Sequence, residues 1–234
     1  MIENPPLIQI KKSTSRNRPS QKQIDSFKDI PTSFICDALS GYAALDPAIK
    51  PLSIPGKTVN HIVGPALTVF SGAADVLGMA IALSEIQEGD IVVNCVNGFQ
   101  GTAAVGDRIA GMIRNNGGKG LVTDGPMRDL NGIIETGLDC FCTGLNPNSP
   151  YNSGPAKIGY SIDIGGKTVN SGDIVVADTD GVAIVPFDKI DEVINKLQRI
   201  VEVENAMDKQ VSEGLKNSQK ALDFINSDQV MYTD

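Results

Sequence analysis

The 234-residue chain has no tryptophan, a single histidine (His61) and only 5% aromatic residues. With so few aromatic side chains, its core has to be built from Ile, Val, Leu and Ala, and the 41% hydrophobic content is enough for one. A lone histidine excludes sites built on several imidazoles, and we assign it no role. No segment resembles a secretory signal or a membrane span, so we predict a cytoplasmic protein without a membrane partner.

The chain also lacks an excess of basic residues. It contains 20 Lys and Arg and 28 Asp and Glu, which gives a net charge of −8. A negative field disfavours nucleic acid as a partner. The one basic cluster lies in a Ser/Asn/Pro-rich stretch, and we interpret it as a solvated arm. It consists of Lys11, Lys12, Arg16 and Arg18. We predict a polar N-terminal extension (1–22), one domain (23–214) and a polar C-terminal tail (215–234).

Cysteine is scarce as well, with four residues in the chain. Cys36, Cys95, Cys140 and Cys142 mostly lie in apolar runs, where buried and unreactive thiols are the usual finding. The Cys140-Phe-Cys142 pair has neither a second cysteine pair nor a neighbouring histidine, which argues against a structural zinc site.

From residue 62, the hydrophobic pattern alternates between strand and helix, which predicts an α/β fold with a partly parallel sheet. The predicted strands are 62–70, 91–96, 120–123 and 140–143, and the predicted helices begin near Thr32 and cover 73–86, 107–116 and 129–136.

The second half has a different pattern, with strands joined by Gly-Gly, Ser-Gly-Asp and Asp-Gly turns and no helix between them. We predict strands over 157–164, 174–177 and 182–185. After them, apolar residues recur at steps of three and four from Ile190 to Val201, which predicts a C-terminal helix.

The residues with chemical potential lie between 97 and 129, in two loops that each follow a predicted strand. One loop enters a helix at Asp107, and the other ends in Arg128-Asp129. Ligands of α/β proteins usually bind at such strand ends. Two carboxylates suit a hard cation, Mg²⁺ or Mn²⁺, and an arginine suits a substrate carboxylate. On spacing alone, the favoured interpretation is structural, with Asp107 as a helix cap and Arg128-Asp129 as a surface turn with its own ion pair.

Asp107, twenty intervening residues and then Arg128-Asp129 resemble the D-x20-R-D signature of the 4-hydroxy-4-methyl-2-oxoglutarate aldolases. These enzymes belong to the RraA-like family, which includes the regulator of ribonuclease E activity. The resemblance covers roughly 30–214, although Cys36 stands where the family often has serine, and the loop at Asn97 is less glycine-rich. Further segments resemble the family in the same order: ICDAL (35–39), VGPALTV (63–69), VTDG (122–125) and SGDIVVAD (171–178).

The resemblance implies a metal-dependent carbon–carbon lyase, a class II aldolase. Asp129 would ligate Mg²⁺ or Mn²⁺ with Asp107 beside it, Asp107 would orient a catalytic water, and Arg128 would hold the 2-oxo acid. The expected reaction splits 4-hydroxy-4-methyl-2-oxoglutarate, or a related 4-carboxy-4-hydroxy-2-oxo acid, into pyruvate and a second keto acid. Oxaloacetate decarboxylation is expected from the same site.

The resemblance also implies a compact αββα sandwich with a mixed sheet, of the swivelling-domain type, assembled as a homotrimer or homohexamer. The backbone amides of Arg108 and Ile109 would bind the substrate carboxylate. Glu204, ten residues before Gly214, fits a family glutamate that reaches the active site of an adjacent subunit.

Two other functions remain open on the sequence. The regulator branch of the family binds proteins and typically lacks the metal-ligating aspartate after the arginine, whereas Asp129 is present here. A Schiff-base aldolase would need a desolvated lysine, but Lys119, the nearest one, lies in a glycine-rich predicted turn.

Overall fold

The computed structural model of the protein describes residues 6–54, 56 and 59–234, and it confirms the predicted α/β class. The strands are β1 (Ile8–Ile10), β2 (Lys50–Pro51), β3 (Ile62–Phe70), β4 (Ile91–Cys95), β5 (Gly120–Thr123), β6 (Asp139–Cys142), β7 (Ala156–Ile158), β8 (Ile162–Ile164), β9 (Lys167–Val169), β10 (Ile174–Asp178) and β11 (Gly181–Val185). The α-helices are α1 (Gln21–Asp25), α2 (Thr32–Ala38), α3 (Leu77–Ala82), α4 (Asp107–Asn115), α5 (Leu130–Thr136), α6 (Ile190–Ser212) and α7 (Gln219–Ile225).

The main sheet has the order β1-β7-β3-β4-β5-β6-β2. Its centre, β3-β4-β5-β6, is parallel, and α3, α4 and α5 connect successive strands. Every residue of β4 and β5 is buried, as expected for parallel strands that are covered on both faces. The carboxyl ends of these strands therefore meet at one edge of the sheet.

Strand β3 belongs to two sheets. Its first half pairs antiparallel with β10, which in turn pairs with β11, while its second half pairs with β4 and β7. Nine consecutive strand residues, eight of them buried, give β3 enough length for both sets of partners.

The buried residues form four layers, in agreement with the predicted αββα sandwich. Alternation along β10 shows the layering, because Val175 faces the main sheet whereas Val176 faces α2 and α6. On the other side of the main sheet, Val92 of β4 packs against α3, α4 and α5. One helical layer thus covers each outer sheet face, and the two sheets share the apolar space between them.

Two predicted elements are wrong in extent. The helix expected over 73–86 begins only at Leu77, because Ala74 adopts a positive φ of 57° and Asp75 accepts hydrogen bonds from Leu77 N and Ser153 N. The strand expected over 157–164 is split into β7 and β8 at Gly159, whose φ is 81°. Both interruptions are turns set by tertiary contacts, which hydrophobic patterning does not report.

The interpretation of the basic cluster as a solvated arm is wrong for two of its members. Arg16 pairs with Glu85, and Arg18 pairs with Asp90, whose side chain is 5% exposed. Strand β1 also adds to the sheet beside β7. The N-terminal segment is thus attached to the domain through β1, Arg16 and Arg18, and residues 1–5 of the predicted extension lie outside the described residues.

The predicted C-terminal helix is confirmed as α6. Its first turns pack on the domain through the buried side chains of Ile190, Val193 and Leu197. Within the part of the chain that the structure describes, no helix has the length and apolar character needed to cross a bilayer.

Candidate active site

The candidate site lies at the carboxyl ends of β4, β5 and β6, where three extended loops run side by side. Val105, Met127 and Leu145 pair as single parallel bridges that continue the sheet beyond its strands. Arg128 N donates to Val105 O over 3.2 Å, and Met127 N donates to Gly144 O over 2.9 Å. These bonds fix the backbone that carries Asp107, Arg128 and Asp129.

A buried carboxylate, Asp124, holds the loop after β4. It accepts hydrogen bonds from Val96 N and Gly98 N, each over 2.7 Å, across Asn97, whose φ is 55°. Beside it, burial raises the pKa of the Cys95 thiol to about 11. Cys95 is therefore protonated at neutral pH and is not a nucleophile.

Five of the six predicted site residues, all except Glu204, line one cleft of about 490 Å³. Asp107, Arg108 and Ile109 enter it from the start of α4, and Arg128 and Asp129 enter it from the loop before α5. Residues distant in the sequence thus converge, as the strand-end argument predicts. The rest of the lining is mainly apolar: Val76, Val105, Gly106, Met112 and Pro150.

The structure decides against helix capping by either aspartate. The residue that caps α4 is Gly106, so Asp107 already lies inside the helix. Asp129 precedes α5 in a left-handed conformation (φ 63°), but its side chain accepts no capping hydrogen bond. Aspartate and asparagine are the non-glycine residues that adopt this region most readily, and positions of this kind are common at functional sites.

Arg128 is held from two sides. Its Nη1 donates to the hydroxyl of Ser149, and its Nε lies 3.3 Å from Asp129 Oδ2. The Arg128 and Asp129 side chains are 35% and 45% exposed, so the surface ion pair of the structural interpretation is present, and it remains accessible to a ligand.

Two glycines make room for the carboxylates. A Cβ on Gly106 would lie 2.5 Å from Asp129 Oδ2 and 3.2 Å from Arg128 Nε. A Cβ on Gly132 of α5 would lie 2.6 Å from Asp107 Oδ2. Both carboxylates therefore rest against bare backbone, where any larger residue would displace them.

The first turn of α4 presents unpaired backbone donors to the cleft. The first amide bonded within this helix is that of Ala110, which donates to Gly106 O over 3.2 Å. The amides of Arg108 and Ile109 precede it, and amides in this position suit an anionic ligand.

Glu204 does not belong to this cleft within one chain. It lies on α6 and lines a second groove with Asp37 and Arg199. Helix α6 packs in the outer layer with α2, so both sheets separate Glu204 from Asp107.

The structure supports neither a zinc site at Cys140 and Cys142, which the sequence already argued against, nor the Schiff-base lysine. Burial raises the pKa of Cys140 and of Cys142, which makes them poor metal ligands. Lys119 is exposed at the opposite end of β5 from the cleft.

Sequence reasoning missed Ser149, which positions the Arg128 side chain, and the apolar wall formed by Val76, Met112 and Pro150. Ser149 and Pro150 follow β6, so the rule that loops at strand ends carry the site could have found them. Nothing in the sequence pattern indicates Val76 or Met112.

The fold and the cleft define an αββα protein with two aspartates and an arginine in one cleft at the carboxyl edge of a parallel sheet. Residues 32–184 match the model of the RraA-like family, described as Aldolase/RraA. The chain belongs to this family, and the predicted resemblance is thereby confirmed.

Relatives of the chain include both branches of the family. A Halalkalibacterium halodurans protein named "putative 4-hydroxy-4-methyl-2-oxoglutarate aldolase" is 32% identical over 84% of this chain and 93% of its own length. An uncharacterized Pseudomonas syringae protein is similar in structure, with a TM-score of 0.75, 26% identity and coverage of 86% and 92% of the two chains. Streptomyces coelicolor RraAS2, described as an unusual member of the RNase ES inhibitor RraA family, has a TM-score of 0.71 and 25% identity over 82% of this chain and all of its own.

Proposed function

We propose that the protein is a Mg²⁺- or Mn²⁺-dependent aldolase that cleaves 4-hydroxy-4-methyl-2-oxoglutarate, or a related 4-carboxy-4-hydroxy-2-oxo acid, to pyruvate and a second keto acid. The observation that carries this proposal is the convergence of Asp107, Arg128 and Asp129 on one cleft, with neither aspartate side chain engaged in a helix-capping hydrogen bond. The similarity to a protein named as an aldolase of this type supports it.

The residues fit a hard divalent cation. Asp129 and Asp107 supply carboxylate oxygens, and the absence of a Cβ at Gly106 leaves space beside Asp129 Oδ2. Among the described residues there is no group of three or more His, Cys, Asp or Glu that could hold a metal, so these two carboxylates would share the ion with water or substrate. Mg²⁺ typically binds in this way. When bound, it would act as a Lewis acid on the 2-oxo group.

The protein groups divide the remaining tasks. The free amides of Arg108 and Ile109 would bind the substrate's 1-carboxylate, and the Arg128 guanidinium would orient the 2-oxo acid. Asp107 would accept the 4-hydroxyl proton through a water molecule. As C4 becomes a carbonyl, the C3–C4 bond breaks and its electron pair passes toward the 2-oxo group. A proton returned to C3 completes pyruvate.

Oxaloacetate decarboxylation would use the same arrangement. Here the bond from C3 to the leaving carboxylate breaks, CO₂ departs, and the electron pair again passes toward the 2-oxo group. We therefore propose that one site performs both reactions.

A coupled assay of pyruvate release, with and without EDTA, tests the proposal on wild type and on Asp129→Asn. Asparagine tolerates the left-handed conformation at this position, so the variant removes the charge and keeps the backbone. We expect activity that depends on Mg²⁺ or Mn²⁺ and falls by at least about 100-fold in the variant, since several kcal/mol of charge stabilisation are lost. Asp139→Asn, an exchange outside the cleft, is the control. Equal activity in EDTA would refute the metal mechanism.

A protein-binding regulator is the second candidate, favoured by the structural similarity to RraAS2. A regulator needs no metal at Asp129. Two results together would support this function instead: no pyruvate release with any divalent metal, and capture of a ribonuclease that is equal for wild type and Asp129→Asn.

We further propose that the enzyme is a cytoplasmic homotrimer or homohexamer in which Glu204 completes the site of a neighbouring subunit. The separation of Glu204 from the cleft of its own chain supports a contribution between subunits.

A further inference from the structure

Arg108 is the cleft residue whose side chain has no structural task. It follows Asp107 in the first turn of α4, is exposed, and lines the cleft. None of the ion pairs among the described residues involves it. Arg128, by contrast, is held by Ser149 and Asp129.

The position of Arg108 is unfavourable for the helix that carries it. A cation in the first turn opposes the helix dipole, which favours anions there and cations in the last turn. Arg114, in the last turn of the same helix, has the favourable placement. Because no carboxylate among the described residues forms an ion pair with Arg108, its guanidinium is available to a ligand in the cleft.

The charges of the cleft indicate what that ligand carries. The two carboxylates of Asp107 and Asp129 balance the two guanidinium groups of Arg108 and Arg128, and the other lining residues are neutral. The metal of the proposed function would add two positive charges, which match a dicarboxylate better than a monocarboxylate.

The arrangement of donors separates the two ends of such a substrate. The α4 amides and Arg128 serve the 2-oxo acid end, while the Arg108 side chain extends from the exposed side of the same helix turn. Val76 and Met112 belong to the apolar lining of the same cleft and are available to the substrate's carbon chain. We propose that Arg108 is the specificity-determining residue for dicarboxylic substrates, and that its guanidinium binds the carboxylate remote from the 2-oxo group. This inference rests on the proposed function.

The test compares two probes by isothermal titration in the presence of Mg²⁺: 2-oxoglutarate, which has the remote carboxylate, and pyruvate, which lacks it. Wild type should bind 2-oxoglutarate more tightly. Arg108→Leu should reduce this preference by about tenfold to hundredfold, the effect of losing one hydrogen bond to a charged group. Arg108→Lys should retain part of the preference, because it keeps the charge but not the fork.

Arg114→Leu is the matched control, because it removes a cation from the same helix outside the cleft. It should keep the wild-type preference. Thermal unfolding of each variant checks that the fold is intact. A wild type that binds both acids equally or binds neither, or an Arg108→Leu variant that keeps the full preference, would overturn the inference.

Pyruvate release from 4-hydroxy-4-methyl-2-oxoglutarate by the same proteins separates the two proposals. If the preference for 2-oxoglutarate depends on Arg108 but no pyruvate is formed, the aldolase proposal fails while the role of Arg108 stands. If pyruvate is formed with unchanged kcat/KM in Arg108→Leu, the aldolase stands and the role of Arg108 fails.

Discussion

Gly106 shows how a missing side chain can define a site. Its φ of −124° is open to any residue, so backbone freedom does not explain the glycine. The reason is space, because a Cβ there would lie 2.5 Å from Asp129 Oδ2. The proposed metal ligand and its arginine partner therefore depend on a residue that does no chemistry itself.

Gly106→Ala should consequently damage activity more than stability. We expect kcat/KM to fall by about 100-fold, because a displacement near 1 Å in a positioned group has this effect. The free energy of unfolding should fall by only about 1 kcal/mol, because alanine is less favourable than glycine at a helix N-cap by about this amount. Steady-state kinetics and urea denaturation measure the two effects.

Gly111→Ala is the control on the same helix. A Cβ there meets only Thr136 Cγ2 at 3.6 Å, an ordinary contact. Alanine inside a helix should stabilise the fold by about 0.5–1 kcal/mol and leave activity unchanged. A Gly106→Ala variant with kcat/KM within about twofold of wild type would contradict the steric argument.

At the scale of elements, the N-terminal segment is an added edge of the domain. Strand β1 pairs with β7, and Arg18 binds both the Asp90 side chain and Glu88 O. Burial raises the pKa of Asp90 even though Arg18 lowers it, so the charged form of this carboxylate is costly at neutral pH. Arg18 reduces that cost.

Arg18→Ala should therefore lower the free energy of unfolding at pH 7 by about 1–3 kcal/mol, because a buried acceptor loses its charged donor. The loss should shrink as the pH falls. Because the pKa of Asp90 is higher in the folded state than in the unfolded state, the stability that Asp90 contributes is present at low pH and is lost as the pH rises. At low pH the carboxyl group is protonated and neutral, so the loss of the Arg18 cation has a smaller effect.

Urea denaturation at pH 7 and pH 4 measures the effect, with Lys12→Ala as the control from the same segment. Lys12 is exposed and forms none of the ion pairs found among the described residues. An equal loss in Arg18→Ala at both pH values would show that the contact does not act through the charge of Asp90.

The same scale shows how far patterning predicts elements. The bounds of β3 and β5 agree with the expected strands, because their apolar runs end at clear turns. The split at Gly159 was missed, since its amide donates to Thr68 O, more than ninety residues earlier in the chain. A contact of that range leaves no local signal in the sequence.

At the scale of the whole molecule, Glu204 and the cleft lie in different layers, so a catalytic role for Glu204 requires a second subunit. Co-expression of Glu204→Gln with Asp129→Asn tests this directly. Each variant alone should be nearly inactive. In mixed oligomers, a subunit with intact Asp129 can receive Glu204 from its neighbour, and about a quarter of the sites should recover if subunits mix at random in a closed ring.

Differently tagged chains allow the mixed oligomers to be purified, and analytical ultracentrifugation gives their size. Full activity of Glu204→Gln alone would remove Glu204 from the mechanism. Mixed oligomers without recovered activity would show that Glu204 does not act between subunits.

The sequence by itself determined the α/β class, the order of most elements and the family, because these follow from local periodicity and from motifs whose spacing can be read along the chain. It also indicated Asp107, Arg128 and Asp129, since residues after parallel strands share one edge of a sheet.

Only the tertiary structure decided that neither aspartate side chain makes a capping hydrogen bond, and that Gly106 and Gly132 leave room for both carboxylates. It also decided that Arg16 and Arg18 form ion pairs, whereas Arg108 forms none with the described residues. Each of these facts depends on distances between residues remote in sequence. Such distances arise when the layers pack, and no local pattern records them.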